Sequence, residues 1–199
     1  MIFIWLPKLI FIFEKTSPMN FSIQPTLENE NIKLIPLQES DFERLFVVAS
    51  DREVWAMHPN KERYKIQVFQ NFFTGALQSK GAFLIIDKNL EEVLGSTRFY
   101  DFNEKDKSIF IGYTFYGIKS WGKNINSSVK KMMLDYIFDF VDKVVFHVGA
   151  DNIRSVKAMN KLGAENLGEE EVAYFGEASK MNVVFQIKKE EWKLKQNLH

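Results

Sequence analysis

The sequence predicts a single domain of the mixed α/β (α+β) class, with a mostly antiparallel central sheet and flanking helices. The length of 199 residues is that of one domain. Three apolar segments, Ala82–Asp87, Val93–Phe102 and Ser108–Phe115, are joined by short polar turns, which is typical of an antiparallel meander. A helical pattern then leads to a β-rich segment at Lys143–Val148. A strand that is reached through a helix indicates a parallel crossover, so we expect one parallel pair in the sheet.

The elements before the meander follow from periodicity and capping residues. Ile32–Leu37 is predicted to be a short strand, and Ser40 or Asp41 then caps a helix. A second helix is expected at Ile66–Gln78 and ends before Gly81. The apolar face of the first helix consists of Phe42, Leu45, Phe46 and Ala49.

The elements after the meander include the clearest helix of the sequence. Its apolar residues recur at steps of three and four, which predicts one buried stripe. A further helix is predicted at Asn152–Leu162, with Gly163 as its stop signal, and two strands are predicted at Val172–Phe175 and Met181–Ile187. The charged tail from Lys188 is predicted to be a short exposed helix. The stripe of the first of these helices consists of Val129, Met132, Met133, Tyr136, Ile137 and Phe140.

The charge balance and the absence of cysteine exclude several classes of protein. There are 26 basic and 26 acidic side chains, whereas a general nucleic-acid binder carries a basic surplus. Without cysteine the chain has no disulfide, thiolate metal site or cysteine nucleophile. The histidines lack metal-ligand spacing, so we expect no metal. The lack of cysteine also favours a reducing compartment, and we expect a cytoplasmic protein.

Residues 1–18 differ in composition from the rest of the chain. Ile2–Phe13 is almost wholly apolar, but about 12 residues are too few for a membrane-spanning helix, which needs about 20. We expect translation to begin at Met19, which makes residues 1–18 a start-site artefact and residues 19–199 the domain. A weak membrane-surface anchor and a segment that packs against a partner remain as alternatives.

One segment combines a strand, a loop and a helix N-terminus in a way that suits an anion. The strand Ile111–Phe115 runs into a loop, and the loop opens onto the helix at Trp121–Asn126. The unpaired N–H groups and the dipole of such a helix favour phosphate. Gly122 permits close backbone approach, Lys123 adds positive charge, and Asn124 tolerates a left-handed conformation. A plain strand-to-helix turn is the alternative.

Four segments stand out by their order and their separation along the chain: Gly95–Arg98, Ile111–Thr114, Trp121–Lys123 with Ile125–Asn126, and Asn152–Ser155 with Lys161–Ala164. In this order they resemble the GCN5-related N-acetyltransferase (GNAT) superfamily, and within it the RimJ/RimL type that acetylates ribosomal-protein N-termini. The resemblance covers about Leu27–Lys188. It implies a GNAT-like domain in which a parallel strand pair splays apart and admits acetyl-CoA as co-substrate, without a metal.

The resemblance also implies roles for individual residues in acetyl-CoA binding. Backbone groups of Tyr113, Thr114 and Phe115 would pair with the pantetheine arm, and the amide of Thr114 would polarise the thioester carbonyl. Asn152 and Ser155 would face the arm and the sulfur. The residues that would hold the pyrophosphate are Trp121, Gly122, Lys123, Asn124, Ile125, Asn126 and Ser127.

The sequence departs from the family pattern at three positions. Asn124 stands where the family commonly has glycine, and we expect asparagine to adopt the same backbone geometry. Phe110 replaces a glutamate that many members carry, and Met159 replaces a tyrosine that protonates the leaving thiolate. Ser155 is the remaining candidate for that protonation.

Two residues are candidate contacts to the acceptor. His58 lies in a predicted loop, where an ordinary loop histidine is the alternative. Arg98 would bind an acidic group of the acceptor, or it would pair with a carboxylate such as Asp101 or Asp106. His147 is predicted to be an ordinary sheet residue.

The expected activity is transfer of acetyl from acetyl-CoA to an amine by direct attack. An α-amino group has a pKa of about 7.7–8.0 and a lysine amine about 10.4, so a site without an obvious base suits a protein N-terminus or another low-pKa small amine. Glu39, Glu53, Glu62 or a water chain are alternative bases. A catalytically silent acetyl-CoA-binding protein, acting as sensor or subunit, is the alternative function. The phenylalanine-rich composition suggests a homodimer, and we expect no nucleic-acid partner.

Overall fold

Residues 21–173 and 178–197 are described by the computed structural model, and they form one eight-stranded sheet with helices on both faces. The strands are β1 Leu27–Glu28, β2 Ile32–Pro36, β3 Ala82–Asp87, β4 Val93–Asn103, β5 Ser108–Tyr116, β6 Lys143–Gly149, β7 Glu165–Val172 and β8 Lys180–Lys188. The α-helices are α1 Phe42–Ala49, α2 Ile66–Gln78, α3 Ile125–Ile137, α4 Ile153–Leu162 and α5 Lys189–Gln196.

The strand order confirms the predicted sheet. The strands lie in the order β1-β2-β3-β4-β5-β6-β8-β7. Neighbours are antiparallel except β5 and β6, which are parallel and are connected through α3. The meander from β3 to β5 and the parallel crossover are therefore both confirmed, and a mixed α/β domain is the observed class.

The two faces of the sheet carry separate apolar cores. One core includes the buried side of α3, with Met133 and Ile137, together with Met159 of α4 and Trp192 of α5. The other core is rich in aromatic rings, and Phe69 of α2 lies at its centre. Because β4 and β5 pass between the two cores, successive residues on these strands face different environments.

The strand predicted at Val172–Phe175 is wrong in position. The observed β7 is Glu165–Val172, and residues 174–177 lie outside the described residues. This strand is at the edge of the sheet, and seven of its eight residues are exposed. An exposed acidic edge strand has no apolar alternation, which is the signal that sequence analysis uses to find a strand.

The predicted apolar stripe of α3 is wrong at its last residue. The helix ends at Ile137, Phe140 is 38% exposed, and the neighbouring Phe138 is buried instead. The tail helix α5 is present, but it is not wholly exposed, because Trp192 is buried and donates from Nε1 to Asp135 Oδ1 at 2.8 Å. The predicted extension at residues 1–18 lies outside the described residues.

Candidate active site

The two parallel strands separate in the middle of the sheet. The paired residues of β5 and β6 are Ser108 with Lys143, Ile109 with Val144, and Phe110 with Val145. Beyond this point β5 continues to Tyr116 and β6 to Gly149 without further pairing to each other. The separation opens a gap at the carboxyl ends of both strands.

A β-bulge shapes the β5 side of this gap. Ser96 pairs with Phe115 and Arg98 pairs with Gly112, so two β5 residues lie opposite Thr97 alone. Tyr113, within the bulge, has a φ of 52°. A bulge leaves an extra residue outside the ladder and redirects the side chains around it. Backbone groups of the bulge are therefore available to a ligand in the gap.

The loop after β5 is held against the end of that strand. Trp121 donates from Nε1 to the carbonyl of Tyr116 at 3.1 Å, and the Arg154 guanidinium lies 3.6 Å from the centroid of the indole. Gly122 follows with a φ of 76°, and a Cβ added there would meet nothing within 4 Å. A side chain at this position would therefore begin in open space at the border of the cleft.

The N-terminus of α3 lacks a side-chain cap. Asn124 has a φ of 58°, which confirms that asparagine adopts the left-handed geometry at this position. Its side chain accepts from Lys161 Nζ at 3.2 Å and does not cap the helix. The first bond across this end runs from the amide of Ser128 to the carbonyl of Asn124, so the preceding amides of the first turn remain available to an anion.

These features border one cleft of about 460 Å³. That volume is within the usual range for small-molecule sites, which is about 300–1,000 Å³. The cleft runs from the α3 N-terminus, past the bulge of β5, to a loop that contains His58. The predicted site residues that line it are Tyr113, Thr114, Phe115, Trp121, Gly122, Asn124, Ile125, Asn126, Ser127, Asn152, Ser155 and His58.

Two predicted site residues do not line this cleft. Lys123 is exposed on the loop and is not among the residues that line the cleft. Arg98 lines a smaller neighbouring depression that shares Tyr100 and Tyr113 with the cleft. Its Nη1 donates to the carbonyl of Gly75 at 3.1 Å, and its guanidinium lies 3.9 Å from the ring centroid of Tyr113. The structure records no ion pair of Arg98 with a described carboxylate, contrary to the alternative drawn from the sequence.

Asn152 and Ser155 meet through the cap of α4. The amide of Ser155 donates to Asn152 Oδ1 at 3.1 Å, which makes Asn152 the N-cap of α4. Gly163 ends the helix with a φ of 77°, as predicted. The buried Met159 lies one turn beyond Ser155 and lines the same cleft. The thioether contributes apolar surface there and has no proton to give.

His58 lies at the opposite end of the cleft from the loop. Its Nε2 is 3.1 Å from Nη1 of Arg63, and the amide of Asn60 donates to its Nδ1 at 2.9 Å. Burial and the nearby Arg63 lower the pKa of His58 to about 3. The imidazole is therefore neutral at physiological pH and cannot act as an acid there.

Sequence analysis missed Lys130, which is buried at the centre of the cleft lining. Its Nζ donates to Thr114 Oγ1 at 2.7 Å and to Thr97 Oγ1 at 3.2 Å. Burial alone lowers the pKa of Lys130 to about 7. A partial signal was available, because Lys130 lies three residues before Met133 and seven before Ile137, which places it beside the buried stripe of α3.

His147 is a second residue whose position at the cleft the sequence does not reveal. It lies in β6 as predicted, but its ring lines the cleft and contacts Phe110, with 4.7 Å between ring centroids. Its Nε2 is 2.8 Å from Glu170 Oε1, and Nδ1 is buried without a hydrogen-bond partner among the described residues. Burial lowers the pKa of His147, with Glu170 acting in the opposite direction.

The described lining of the cleft contains no Asp or Glu. The alternative bases Glu39, Glu53 and Glu62 are therefore not among the described residues that border it.

Within residues 21–173 and 178–197, no group of three His, Asp or Glu side chains is arranged to hold a metal ion. None of the helices in this part of the chain is both long and apolar enough to span a bilayer.

Comparison with known proteins identifies the family. The sequence profile of the acetyltransferase (GNAT) domain matches residues 31–165, which is more than half of the chain. The chain belongs to this GNAT acetyltransferase family. No curated protein matches the sequence.

Solved structures agree with this fold. A GCN5-related N-acetyltransferase from Brucella melitensis has a TM-score of 0.76 at 18% identity, over 87% of this chain and 83% of its own. Spermidine N-acetyltransferase from Vibrio cholerae, in complex with CoA and spermine, has a TM-score of 0.64 at 15% identity, over 83% and 99%. Ribosomal-protein-S5-alanine acetyltransferase from Vibrio fischeri has a TM-score of 0.64 at 14% identity, over 85% and 99%. At these identities the likeness concerns the fold alone.

Proposed function

We propose that this protein is an acetyl-CoA-dependent N-acetyltransferase that works by direct attack of a neutral amine on the thioester. The observation that carries the proposal is the separation of β5 and β6 after Phe110 and Val145, which opens into one cleft with the α3 N-terminus. Both reactants would be held in this gap, and proximity lowers the barrier of a reaction between two bound molecules.

The proposed cofactor position uses the loop and the bulge. The pyrophosphate would lie at the first turn of α3, where Asn124 leaves the helix uncapped and where Arg154 and Lys161 supply positive charge to the lining. The pantetheine arm would run along the bulge of β5, with the amide of Thr114 on the thioester carbonyl. Asn152 and Ser155 of the α4 cap would face the arm.

The proposed acceptor is a protein N-terminal amine, of the kind that RimJ/RimL-type enzymes acetylate, or a small amine of low pKa. The support is the absence of Asp and Glu from the described lining of the cleft. Without a carboxylate base, an amine that is already partly neutral at pH 7 reacts more readily than a lysine side chain. We extend the proposal to a cytoplasmic location and a homodimer, for which the support is compositional: no cysteine and 19 phenylalanines.

Ligand-dependent stabilisation tests the cofactor site. At about 100 times its Kd, acetyl-CoA should raise the melting temperature by about 5–10 °C. Gly122→Trp should abolish this rise, because the indole would fill the cleft at a position with no neighbour within 4 Å. Gly168→Trp is the matched control, since Gly168 also has positive φ and open surroundings but does not line the cleft. If millimolar acetyl-CoA gives no rise with the unchanged protein, the proposal fails.

Product analysis tests the acceptor. We expect mass spectrometry to find acetyl transfer to the α-amine of short peptides in preference to the side chain of an internal lysine in blocked peptides. Acetylated lysine without acetylated N-termini would contradict the proposed acceptor class and leave the transferase reaction standing.

A catalytically silent acetyl-CoA-binding protein is the second candidate. Two observations favour it. Phe110 occupies the last β5–β6 pair before the strands separate, and Met159 is buried on α4. Neither of these side chains can transfer a proton. Turnover of acetyl-CoA with any amine would eliminate this candidate. Stabilisation by acetyl-CoA without turnover across a broad panel of amines would favour it.

A further inference from the structure

Lys130 is a buried cation for which the described protein offers no counter-charge. Its side chain is 3% exposed and reaches from α3 to the bulge in β5. Its described polar contacts are two hydroxyl oxygens, Thr114 Oγ1 at 2.7 Å and Thr97 Oγ1 at 3.2 Å. A buried lysine that only supports the fold would ordinarily be paired with a carboxylate. A function in the cleft is therefore the simpler reason for its presence.

The geometry leaves one donor of this group for a ligand. An ammonium carries three N–H bonds, and the two threonine hydroxyls account for two of them. Thr97 and Thr114 lie on neighbouring strands, and their hydroxyl oxygens are 2.8 Å apart, so they hold Nζ from one side. Lys130 also lines the cleft itself. Its third N–H has no acceptor among the described contacts, and the residue borders the cleft.

The proposed reaction needs a proton donor at this depth in the cleft. When acetyl leaves coenzyme A, a thiolate forms in a site of low polarity. A good acid for this step has a pKa near the working pH, and burial lowers the pKa of Lys130 to about 7.

Other ionisable groups that line the cleft suit the step less well. His58 has a pKa of about 3 and carries no transferable proton near neutral pH. Tyr116 donates to Asn126 Oδ1 at 3.2 Å, and burial raises the pKa of its hydroxyl. His147 faces Glu170, and burial lowers its pKa. The remaining ionisable groups of the described lining are Arg63, Arg154, Lys161, Tyr100 and Tyr113.

We propose that Lys130 is the acid that protonates the coenzyme A thiolate as the amide forms. The inference rests on the proposed transferase function. The acceptor nitrogen attacks the carbonyl carbon, and the C–S bond then breaks with both electrons on sulfur. The Lys130 ammonium gives its proton to sulfur and becomes a neutral amine. The surplus proton on the new amide nitrogen passes to water, and Lys130 regains a proton from water before the next turnover.

The first experiment compares Lys130→Met with Lys131→Met in steady-state acetyl transfer. Lys131 is the matched control, because it is the next residue on α3 but is exposed and pairs with Asp135 at 2.6 Å. Lys130→Met should lower kcat by about 100-fold, the usual contribution of a general acid, with little change in the KM for acetyl-CoA. Lys131→Met should match the unchanged protein in both parameters.

The pH dependence separates an acid from a merely structural residue. Acceptor deprotonation raises kcat with pH in all variants, so the informative quantity is the ratio of kcat between the unchanged protein and Lys130→Met. This ratio should fall as pH rises above 7, because Lys130 then loses the proton that it donates. A ratio that does not change with pH would overturn the proposal. It would also be overturned if the ratio of kcat between the unchanged protein and Ser155→Ala fell above pH 7 while the ratio for Lys130→Met did not.

A binding measurement tests the same contact without any acceptor. Just below pH 7, where Lys130 still holds its proton, the ultraviolet absorbance of the thiolate of bound coenzyme A should show a larger thiolate fraction in the unchanged protein than in Lys130→Met, because a nearby cation favours the thiolate. Equal thiolate fractions in the unchanged protein and in Lys130→Met, when both bind coenzyme A, would refute the role of Lys130 and leave the proposed function standing. Failure of the unchanged protein to bind coenzyme A would instead refute the proposed function itself.

Discussion

Both faces of the central sheet bury cations, and Arg98 and Lys130 show two ways in which the fold accommodates the charge. Thr97 and Arg98 are consecutive in β4 and face opposite sides. On the α2 side, Arg98 lies on the ring of Tyr113 at 3.9 Å and has the carbonyl of Gly75 as acceptor. On the α3 side, Lys130 has only the hydroxyls of Thr97 and Thr114.

The difference shows how the surroundings decide whether a buried cation keeps its proton. Burial lowers the pKa of Arg98 to about 10, so the guanidinium stays charged at pH 7, and the aromatic face stabilises it. Burial lowers the pKa of Lys130 to about 7, so its amine exchanges a proton in the physiological range. The α2 side thus holds a fixed charge, and the α3 side holds a titratable one.

Removal of the fixed charge should have the largest effect on stability. Arg98→Met removes the hydrogen bond from the guanidinium to the Gly75 carbonyl, which still accepts from the amide of Ser79, and it removes the contact with Tyr113. We expect a loss of about 2–4 kcal/mol in the free energy of unfolding, from a charged hydrogen bond and a cation–π contact. Urea unfolding at pH 7 measures it. Arg52→Met, at an exposed arginine, is the control, and equal midpoints for both variants would contradict the expectation.

Removal of the titratable charge should have the opposite sign. Between pH 7 and 10.5 the unfolded chain holds a proton on Lys130 that the folded protein lacks, so the stability contribution of this group falls as pH falls toward 7. Lys130→Met removes this penalty and should stabilise the protein by about 1–3 kcal/mol at pH 7. The gain should shrink toward pH 10. Unfolding at both pH values checks it, and a destabilised variant at pH 7 would show that Lys130 is structurally required.

A third buried ionisable group, the neutral imidazole of His58, adds a pH-dependent contribution to stability that can be compared with that of Lys130. His58 has a folded-state pKa of about 3 against an ordinary 6.5, so the unfolded chain takes up a proton first as pH falls below 6.5. The stability contributed by His58 is present above pH 6.5 and is lost as pH falls toward 3. His58→Phe should flatten the fall in stability between pH 6.5 and 5 by about 1 kcal/mol, measured by thermal unfolding. Identical pH profiles for the two proteins would contradict the cause assigned here.

The smallest effect is expected at the exposed neighbour of Lys130. Lys131 pairs with Asp135 one turn away on α3, and both side chains are about half exposed. Such a pair contributes about 0.3–0.5 kcal/mol, and salt screens it. Lys131→Met should therefore change the unfolding midpoint slightly at low salt and not at high salt. A loss comparable to that of Arg98→Met would mean that charge alone, irrespective of burial, stabilises this helix.

Local patterns were sufficient for most of the secondary structure. The bounds predicted for α2 and β3 are those observed, and the αL residues Asn124 and Gly163 follow from side-chain preferences. Short polar turns predicted the meander because consecutive strands joined by few residues can only be antiparallel. The edge strand β7 was misplaced because its residues face solvent and need no apolar period.

In the candidate site as well, local features could be predicted from the sequence, whereas features that depend on long-range packing could not. The loop at Trp121–Asn126 was found because a glycine and a helix N-terminus are local features. Lys130 and His147 were not assigned to it, because their importance depends on side chains that the sheet brings from distant strands. The described partners of Arg98, the ring of Tyr113 and the carbonyl of Gly75, likewise come from packing that the sequence does not reveal, and its predicted contact with the acceptor stays a prediction.

The sequence by itself determined the class of the fold and the strand–loop–helix segment, because both depend on periodicity, turns and backbone preferences within a few residues. The tertiary structure alone decided the bulge, the separation of β5 from β6 and the protonation of the buried cations. Those properties depend on burial and on the groups that long-range packing places within hydrogen-bond distance. Neither can be deduced from the residue type or from its neighbours in the sequence.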